Sequence, residues 1–185
     1  MKHLGTKVLE TERLVLRPFV REDAQAMYEN WASDPEVTKF LSWPAYKSIA
    51  DADRILDIWL ADYGKKDFYQ WAIVWKDSGQ PIGSVSVVNS DDRVEMAEIG
   101  YCIGKTWWGR GIMPEAVRAV MAYLFEEVGM LRLEVGHDPD NTASGAVIRK
   151  CGFHYEGTLR RRIRSNRGIT DVAWYSMLQE EYNLG

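Results

Sequence analysis

The stretch Gly100–Ala116, GYCIGKTWWGRGIMPEA, places four glycines ahead of Pro114. Glycines before a helix suit phosphate. They let the backbone approach a bulky anion, and the helix presents unpaired N–H groups at the positive end of its dipole. Two readings are separated by spacing. Gly104-Lys105-Thr106 suggests the G-x-x-x-x-G-K-[ST] phosphate loop, yet only three residues separate Gly100 from Gly104. Lys105-Thr106 also runs into Trp107, Trp108, Gly109 and Arg110 instead of opening a helix, so it reads as a strand-end turn. Gly109 and Gly111 fit better. Pro114 is suited to the first helical position, and Met113 before it is a poor N-cap. The helix is thus expected to begin with free amides able to hold a diphosphate. No G-x-G-x-x-G occurs and no βαβ unit precedes the loop, which disfavours a dinucleotide.

Other reactive side chains point to little. Cys102 and Cys151 lack a C-x-x-C or nearby histidine and read as buried free thiols, without disulfide or metal. His3, His137 and His154 are scattered and form no triad.

The elements that position the loop follow from periodicity. The 185 residues suit a single domain, 1–185, whose 46% hydrophobic and 27% charged content is that of a globular protein. KVLETERLVLRPF reads as a strand and REDAQAMYENWAS as a helix. SIADADRILDIWLADYG reads as a second helix, capped by Ser48, with Ile55, Ile58 and Trp59 on one face. FYQWAIVWK, PIGSVSVVN and VEMAEIGYCI form an antiparallel meander. PEAVRAVMAYLFEEVG is the clearest helix: Val117, Val120, Met121, Leu124, Phe125 and Val128 make one apolar stripe, closed by Gly129. MLRLEVGH is a strand, and NTASGAVIRKCG a short helix capped by Asn141 and stopped by Gly152. FHYEGTLRRRI and ITDVAWYSML are strands joined at SNRG. The order β-α-α-β-β-β-α-β-α-β-β predicts an α+β fold on one mixed, mostly antiparallel sheet flanked by helices.

With these elements in place, TERLVLRPFVREDAQAM, SDPEV, AEIGYCI, WWGRGIMPEAV, NTASGAVIRKCGFHYEG and DVAWYSML occur in an order and spacing that resembles the GNAT superfamily of acetyl-CoA-dependent N-acetyltransferases. The branch named for ribosomal-protein N-terminal acetyltransferases is the most similar, and the likeness runs from about Val8 to Leu178. It implies a splayed central strand pair, here GYCI and RLEVGH. The pantetheine arm would enter that gap and pair with the backbone of Tyr101, Cys102 and Ile103. The family's Q/R-x-x-G-x-G/A loop corresponds to Trp108, Gly109, Arg110, Gly111, Ile112 and Met113. Gly111 keeps the central glycine, while Trp108 and Met113 depart from the pattern and Met113 stands where it would crowd the diphosphate. Asn141 and Ser144 match helix-start positions beside the pantetheine and sulfur, and Lys150 a basic position.

The chemistry implied is direct attack of a neutral amine on the thioester in a ternary complex. A strand amide polarises the carbonyl. Glu98, on the central strand, is the preferred base, with Glu95 the second choice. Many members use a tyrosine seven residues after the helix-start asparagine to meet the leaving thiolate. That position is Ile148 here, and the resemblance assigns the role to Ser144.

The acceptor is constrained by proton affinity. An α-amine titrates near 8 and a lysine amine near 10.4, so neutralising them at about pH 7.5 costs under ~1 and roughly 4 kcal/mol respectively. A weak base therefore suits a protein N-terminus. A small amine of polyamine or aminoglycoside type is the enzymatic alternative, and a non-catalytic CoA-binding or ribosome-associated module the other. Trp43, Tyr46, Trp59, Tyr63, Phe68, Tyr69, Trp71 and Trp75 read mostly as core, with some lining the acceptor cleft. The hairpin Arg160–Arg167 concentrates five arginines and reads as a solvated edge or a ribosome contact. The net charge of −4 disfavours other nucleic-acid binding. With no apolar run of membrane length and no secretory leader in MKHLGTKVLETERL, a cytoplasmic protein without membrane partners is expected. A homodimer is compatible with the sequence.

Overall fold

A computed structural model of the chain describes residues 1–183. The expected first strand is two: β1 (Leu9–Glu10) and β2 (Leu14–Arg17) pair antiparallel. Between them the Thr11 hydroxyl accepts from the Leu14 amide at 3.0 Å and closes a tight turn. The first helix is α1 (Asp23–Met27), continued by a wider π turn over Tyr28–Ala32. Its start is fixed by a charge: the Arg17 guanidinium forks onto both oxygens of buried Asp23 at 2.7 and 2.8 Å. A two-pronged ion pair of this kind satisfies a carboxylate that could not otherwise be buried.

A short α2 (Pro35–Thr38) was not expected; Asp34 caps it, accepting from the Glu36 amide at 2.8 Å. Helix α3 (Ile49–Asp62) begins at Ser48, whose amide is held by Asp51. Of the expected face, Ile55 and Trp59 do pack against the smaller core, beside Ala52 and Leu56. Ala52 and Leu56 are fully buried, whereas Ile58 is 53% exposed. The buried stripe is thus centred on Ala52 and Leu56, where α3 packs against α1 and the π turn that follows it, and Ile58 lies outside it.

The meander is β3 (Gln70–Trp75), β4 (Gln80–Asp91) and β5 (Met96–Ile103). Helix α4 (Ile112–Ala122) starts two residues before Pro114, with Gly111 as N-cap, and its tail Tyr123–Val128 is π-helical. The stripe from Val117 to Val128 is buried throughout, and Gly129 closes it at φ +79°. Then come β6 (Arg132–His137), α5 (Thr142–Lys150), β7 (His154–Ser165), β8 (Gly168–Leu178) and a terminal α6 (Gln179–Tyr182) absent from the sequence reading.

One sheet of order β1-β2-β3-β4-β5-β6-β8-β7 carries all eight strands. Every neighbour is antiparallel except β5–β6, which is parallel because α4 carries the chain back across the sheet. The larger core lies between the sheet and α4, with α5 at its edge; a smaller one lies on the opposite face against α1–α3.

Leu56→Ala is expected to cost about 3 kcal/mol, the usual penalty of an emptied core site. Ile58→Ala is expected to change stability by under about 0.5 kcal/mol. Urea unfolding of the two variants checks which side of α3 is buried.

Candidate active site

Parallel pairing between β5 and β6 covers Met96–Arg132, Ala97–Leu133 and Glu98–Glu134, and stops there. Beyond it β5 follows β4 to Ile103, while β6 follows β8 to His137. Each strand keeps one partner and leaves the edge facing the other open. The Gly104 amide bonds to Ile82 on β4 at 2.9 Å. By antiparallel alternation, Cys102 also directs its backbone to β4, while Tyr101 and Ile103 direct theirs into the split. The backbone role expected of Tyr101, Cys102 and Ile103 thus narrows. Cys102 is committed to β4, and the Ile103 carbonyl already accepts from the Trp108 indole N–H at 3.0 Å.

At one mouth of the split stands the start of α4. Gly111 adopts φ +73°, left-handed geometry that glycine takes without strain. No side chain caps this end. Pro114 at the third helical position contributes no N–H, so the loop and first-turn amides of Gly109, Arg110, Gly111, Ile112 and Met113 supply the donors. Among the described residues these five amides bond to no carbonyl outside the helix. Met113 is 5% exposed and packs in the larger core, so its side chain does not crowd the loop as its type suggested. Lys105 sits in a 3₁₀ turn, Lys105–Trp107, and pairs with Glu36, which leaves no phosphate-loop lysine.

A cavity of about 500 Å³ runs from this loop along the split. Tyr101, Cys102, Ile103, Trp108, Gly109, Gly111, Ile112, Met113, Asn141, Ser144 and Lys150 all line it. Arg110 does not; its carbonyl accepts from Arg13 and its guanidinium lies over Trp107. The residues fit an elongated diphosphate-bearing thioester: unpaired amides at one end, an open strand edge along the side, and Lys150 on α5.

Asn141 caps α5, its side chain accepting from the Ser144 amide at 3.2 Å. The Ser144 hydroxyl lies 3.0 Å from the Tyr101 hydroxyl. Ile148 is 1% exposed and belongs to the core. Buried His137 bonds through Nδ1 to the Asp138 carbonyl at 2.8 Å, while Nε2 has no partner among the described residues. Its ring lies directly beneath Gly145, where a Cβ would stand 2.9 Å away.

Glu98 occupies the opposite face of the sheet. Ala97 and Ile99 are buried on the α4 side, so strand alternation turns Glu98 to the other. It is half-buried at the closed end of the split and, among the described residues, forms no salt bridge. Its carboxyl is pushed above the usual range, first by burial and then by Glu134, against the opposing pull of Arg162. Glu134 itself is held by Arg132 at 2.7 Å. Glu95 lies at the far end of β5 and binds the N-terminal ammonium at 2.8 Å, so it stands away from the split. Cys102, on the Glu98 face, is kept as a thiol by burial and rests 3.4 Å from the Ser84 hydroxyl.

The rim was not read from the sequence. Glu36 and Val37, which end the SDPEV motif whose role the sequence left open, line the cavity together with Lys39, Phe40 and Leu41. Arg167 donates from Nη1 to both oxygens of buried Asp138 at 3.0 and 3.1 Å and from Nη2 to Asp140 at 2.7 Å, and it lies over the Phe40 ring. Its neighbour Asn166 donates to the carbonyls of Thr38 and Trp43, both at 2.8 Å. The hairpin tip therefore faces inward as a clasp, while Arg160, Arg161, Arg162 and Arg164 stay exposed. Of the aromatic set, Tyr69 and Trp71 are fully buried, and Trp43 and Tyr46 pack half-buried near Cys102. Among the described residues there is no metal-holding cluster and no helix long and apolar enough to cross a membrane.

Two outcomes are expected. A carboxylate whose folded pKa is raised weakens the fold above its unfolded pKa, about 4.3, with the full deficit reached above the folded value. Glu98→Gln should therefore melt higher than the wild type at about pH 7, the difference vanishing below about pH 4. Arg167→Met should cost about 2 kcal/mol by leaving Asp138 unpaired, and Arg167→Lys should recover only part of that, lacking the second nitrogen that reaches Asp140. Calorimetric melting across pH checks both.

The profile of the GNAT acetyltransferase domain matches residues 13–154. The uncharacterized N-acetyltransferase p20 of Bacillus licheniformis is 32% identical over 95% of this chain and 98% of its own length. YdaF of Bacillus subtilis, whose name marks it as a candidate ribosomal N-acetyltransferase, is 29% identical over 92% of this chain and 94% of its own. The crystal structure of the microcin C7 self-immunity acetyltransferase MccE, in complex with acetyl-CoA and AMP, superposes with a TM-score of 0.81. It is 24% identical and covers 91% of this chain and 93% of that one. With the sheet, the split and the glycine-led helix in this arrangement, the chain belongs to the GNAT acetyltransferases, enzymes that move an acetyl group from acetyl-CoA to an amine.

Proposed function

We propose that the acceptor is a protein N-terminal α-amine, approaching from the Glu98 face of the split. The observation that carries this reading is Glu98 itself: a half-buried carboxylate at the closed end of the split, without an ion-pair partner among the described residues. Even with its pKa raised, it is a weak base, matched to an amine near 8 and poorly matched to one near 10.4. The name carried by YdaF supports the same class.

In this reading the amides of Gly109–Met113 and the Lys150 ammonium hold the diphosphate, favoured by the α4 dipole. The Tyr101 backbone pairs with the pantetheine arm and presents a donor to the thioester carbonyl. Acetyl-CoA supplies the activated acyl group. Glu98 takes the amine proton, directly or through water, and the Ser144 hydroxyl meets the departing sulfur. No covalent enzyme intermediate is needed.

A second reading has its own observation. Glu98 and Glu134 are in register on one face and would attract a polyamine, although Arg132 already neutralises Glu134.

Thiol release from acetyl-CoA, measured with free-N-terminus peptides, polyamines and aminoglycosides, separates the readings. Highest kcat/KM on peptides is expected; highest on a polyamine would replace the first reading by the second. Glu98→Gln should lower kcat about 100-fold below the acceptor's pKa and lose less above it, where the amine is neutral unaided. Coenzyme binding should be unchanged in calorimetric titration. An unaltered pH–rate profile would remove Glu98 from the mechanism.

A further inference from the structure

Tyr101 stands three residues beyond the last β5 residue paired with β6, and its hydroxyl spans to the first turn of α5. There it lies 3.0 Å from the Ser144 hydroxyl, a pair in which either oxygen can donate, and 3.2 Å from the Ser144 carbonyl oxygen, which only accepts. Ser144 is thus held on two sides, its amide by Asn141 and its side chain by Tyr101. Both side chains line the same cavity. Tyr101 is the one hydroxyl in hydrogen-bond contact with the Ser144 side chain among the described residues.

We infer that Tyr101 is the positioning residue for Ser144 in acetyl transfer, its phenol donating to the serine oxygen so that the serine proton is directed at the departing sulfur. The inference rests on the reading of Ser144 given above. As the nitrogen–carbon bond forms and the carbon–sulfur bond breaks, the electron pair passes to sulfur. Ser144 donates a hydrogen bond to that thiolate, and Tyr101 donates to Ser144. Neither proton leaves its oxygen; the amine's proton, taken by Glu98, is the only one removed. Acidity decides this. Burial pushes the Tyr101 phenol far above its usual range. An alkyl thiol titrates near 8.5, so proton transfer from the phenol to the thiolate would run uphill. The pair polarises without transferring, and the chain of two donors strengthens each bond in a dry site.

The test is a double-mutant cycle on the full chain with acetyl-CoA and the acceptor the panel identifies. Tyr101→Phe removes only the hydroxyl. It is expected to lower kcat by about 3- to 10-fold, as for one lost neutral hydrogen bond, with KM for acetyl-CoA unchanged. Ser144→Ala should lose at least as much, and the double variant no more than Ser144→Ala. The deficit of Tyr101→Phe should shrink when the acetyl donor is a thioester of a more acidic thiol, which a merely structural role would not produce. Independent, multiplying losses, a loss confined to KM, or full activity of Tyr101→Phe would overturn the inference while leaving Ser144 in place. Full activity of Ser144→Ala, or no thiol release by the wild type, would instead remove the reading beneath it. If Tyr101→Phe melts far below the wild type, the dependence of its kcat on the acidity of the donor thiol, measured below its melting temperature, carries the test.

Discussion

Three residue pairs hold β5 to β6, and the site depends on that number. A fourth or fifth pair would close the strand edges and leave no open backbone for a pantetheine arm. The limit is imposed by the outer partners. β4 carries a bulge between Val87 and Asn89, opposite Ile99 and Glu98, and so bends where the split begins. β8 holds β6 in unbroken register from Arg132 to His137. Each central strand is thus better paired outward than inward, and the parallel ladder yields first, the weaker type per residue.

The split divides the work between two faces. On the α4 side lie the amides of the glycine loop, the α5 start and a deep apolar core that fixes both. On the other side lie Glu98, Glu134 and Arg132, on a stretch of sheet that α1–α3 leave uncovered. A carboxylate in place of Ile99 would enter the apolar core on the α4 side and be desolvated there. Strand alternation solves this: Ile99 packs inward while its neighbour Glu98 meets the polar face. The clasp of Arg167, Asp138 and Phe40 then ties the β7–β8 hairpin to the α2 loop, so the rim is held by contacts spanning over 120 residues, as from Asn166 to Thr38.

Local features were legible in the sequence because local physics sets them. The α4 stripe, the caps at Ser48 and Asn141, the left-handed Gly129 and Gly152 and the two-residue turn between Ser165 and Gly168 all lie where pattern and turn chemistry put them. About half of the cavity-lining residues were singled out too, through the ordered motifs of the family. What was not legible depends on distant partners. That Ile58 faces solvent while Ile55, Leu56 and Trp59 pack was not legible, because these residues allow two stripes and the packing of α3 on α1 selects one. The break at Thr11 depends on a side-chain hydroxyl closing a turn inside a run of β-formers. The rim residues Phe40 and Leu41, and the inward turn of Arg167, have no periodic signature at all, and an arginine-rich run alone reads as solvent-facing.

The departures from the family pattern are intelligible by location. Trp108 replaces a polar residue, yet the loop's donors are amides, and the indole N–H finds the Ile103 carbonyl without blocking them. Met113 replaces a small residue, but helical geometry turns the side chain into the core, while its amide faces the loop. Ile148 replaces a phenol at a position now sealed in apolar packing, where a hydroxyl would need a buried partner. A phenol does reach the cavity from the other wall, as Tyr101. Its oxygen meets Ser144 across the split instead of rising from the same helix. The helix keeps an unbroken apolar side, and the hydroxyl stays anchored to the strand whose edge the coenzyme would pair with. Position in space, and not position in the motif, is what such a group has to preserve.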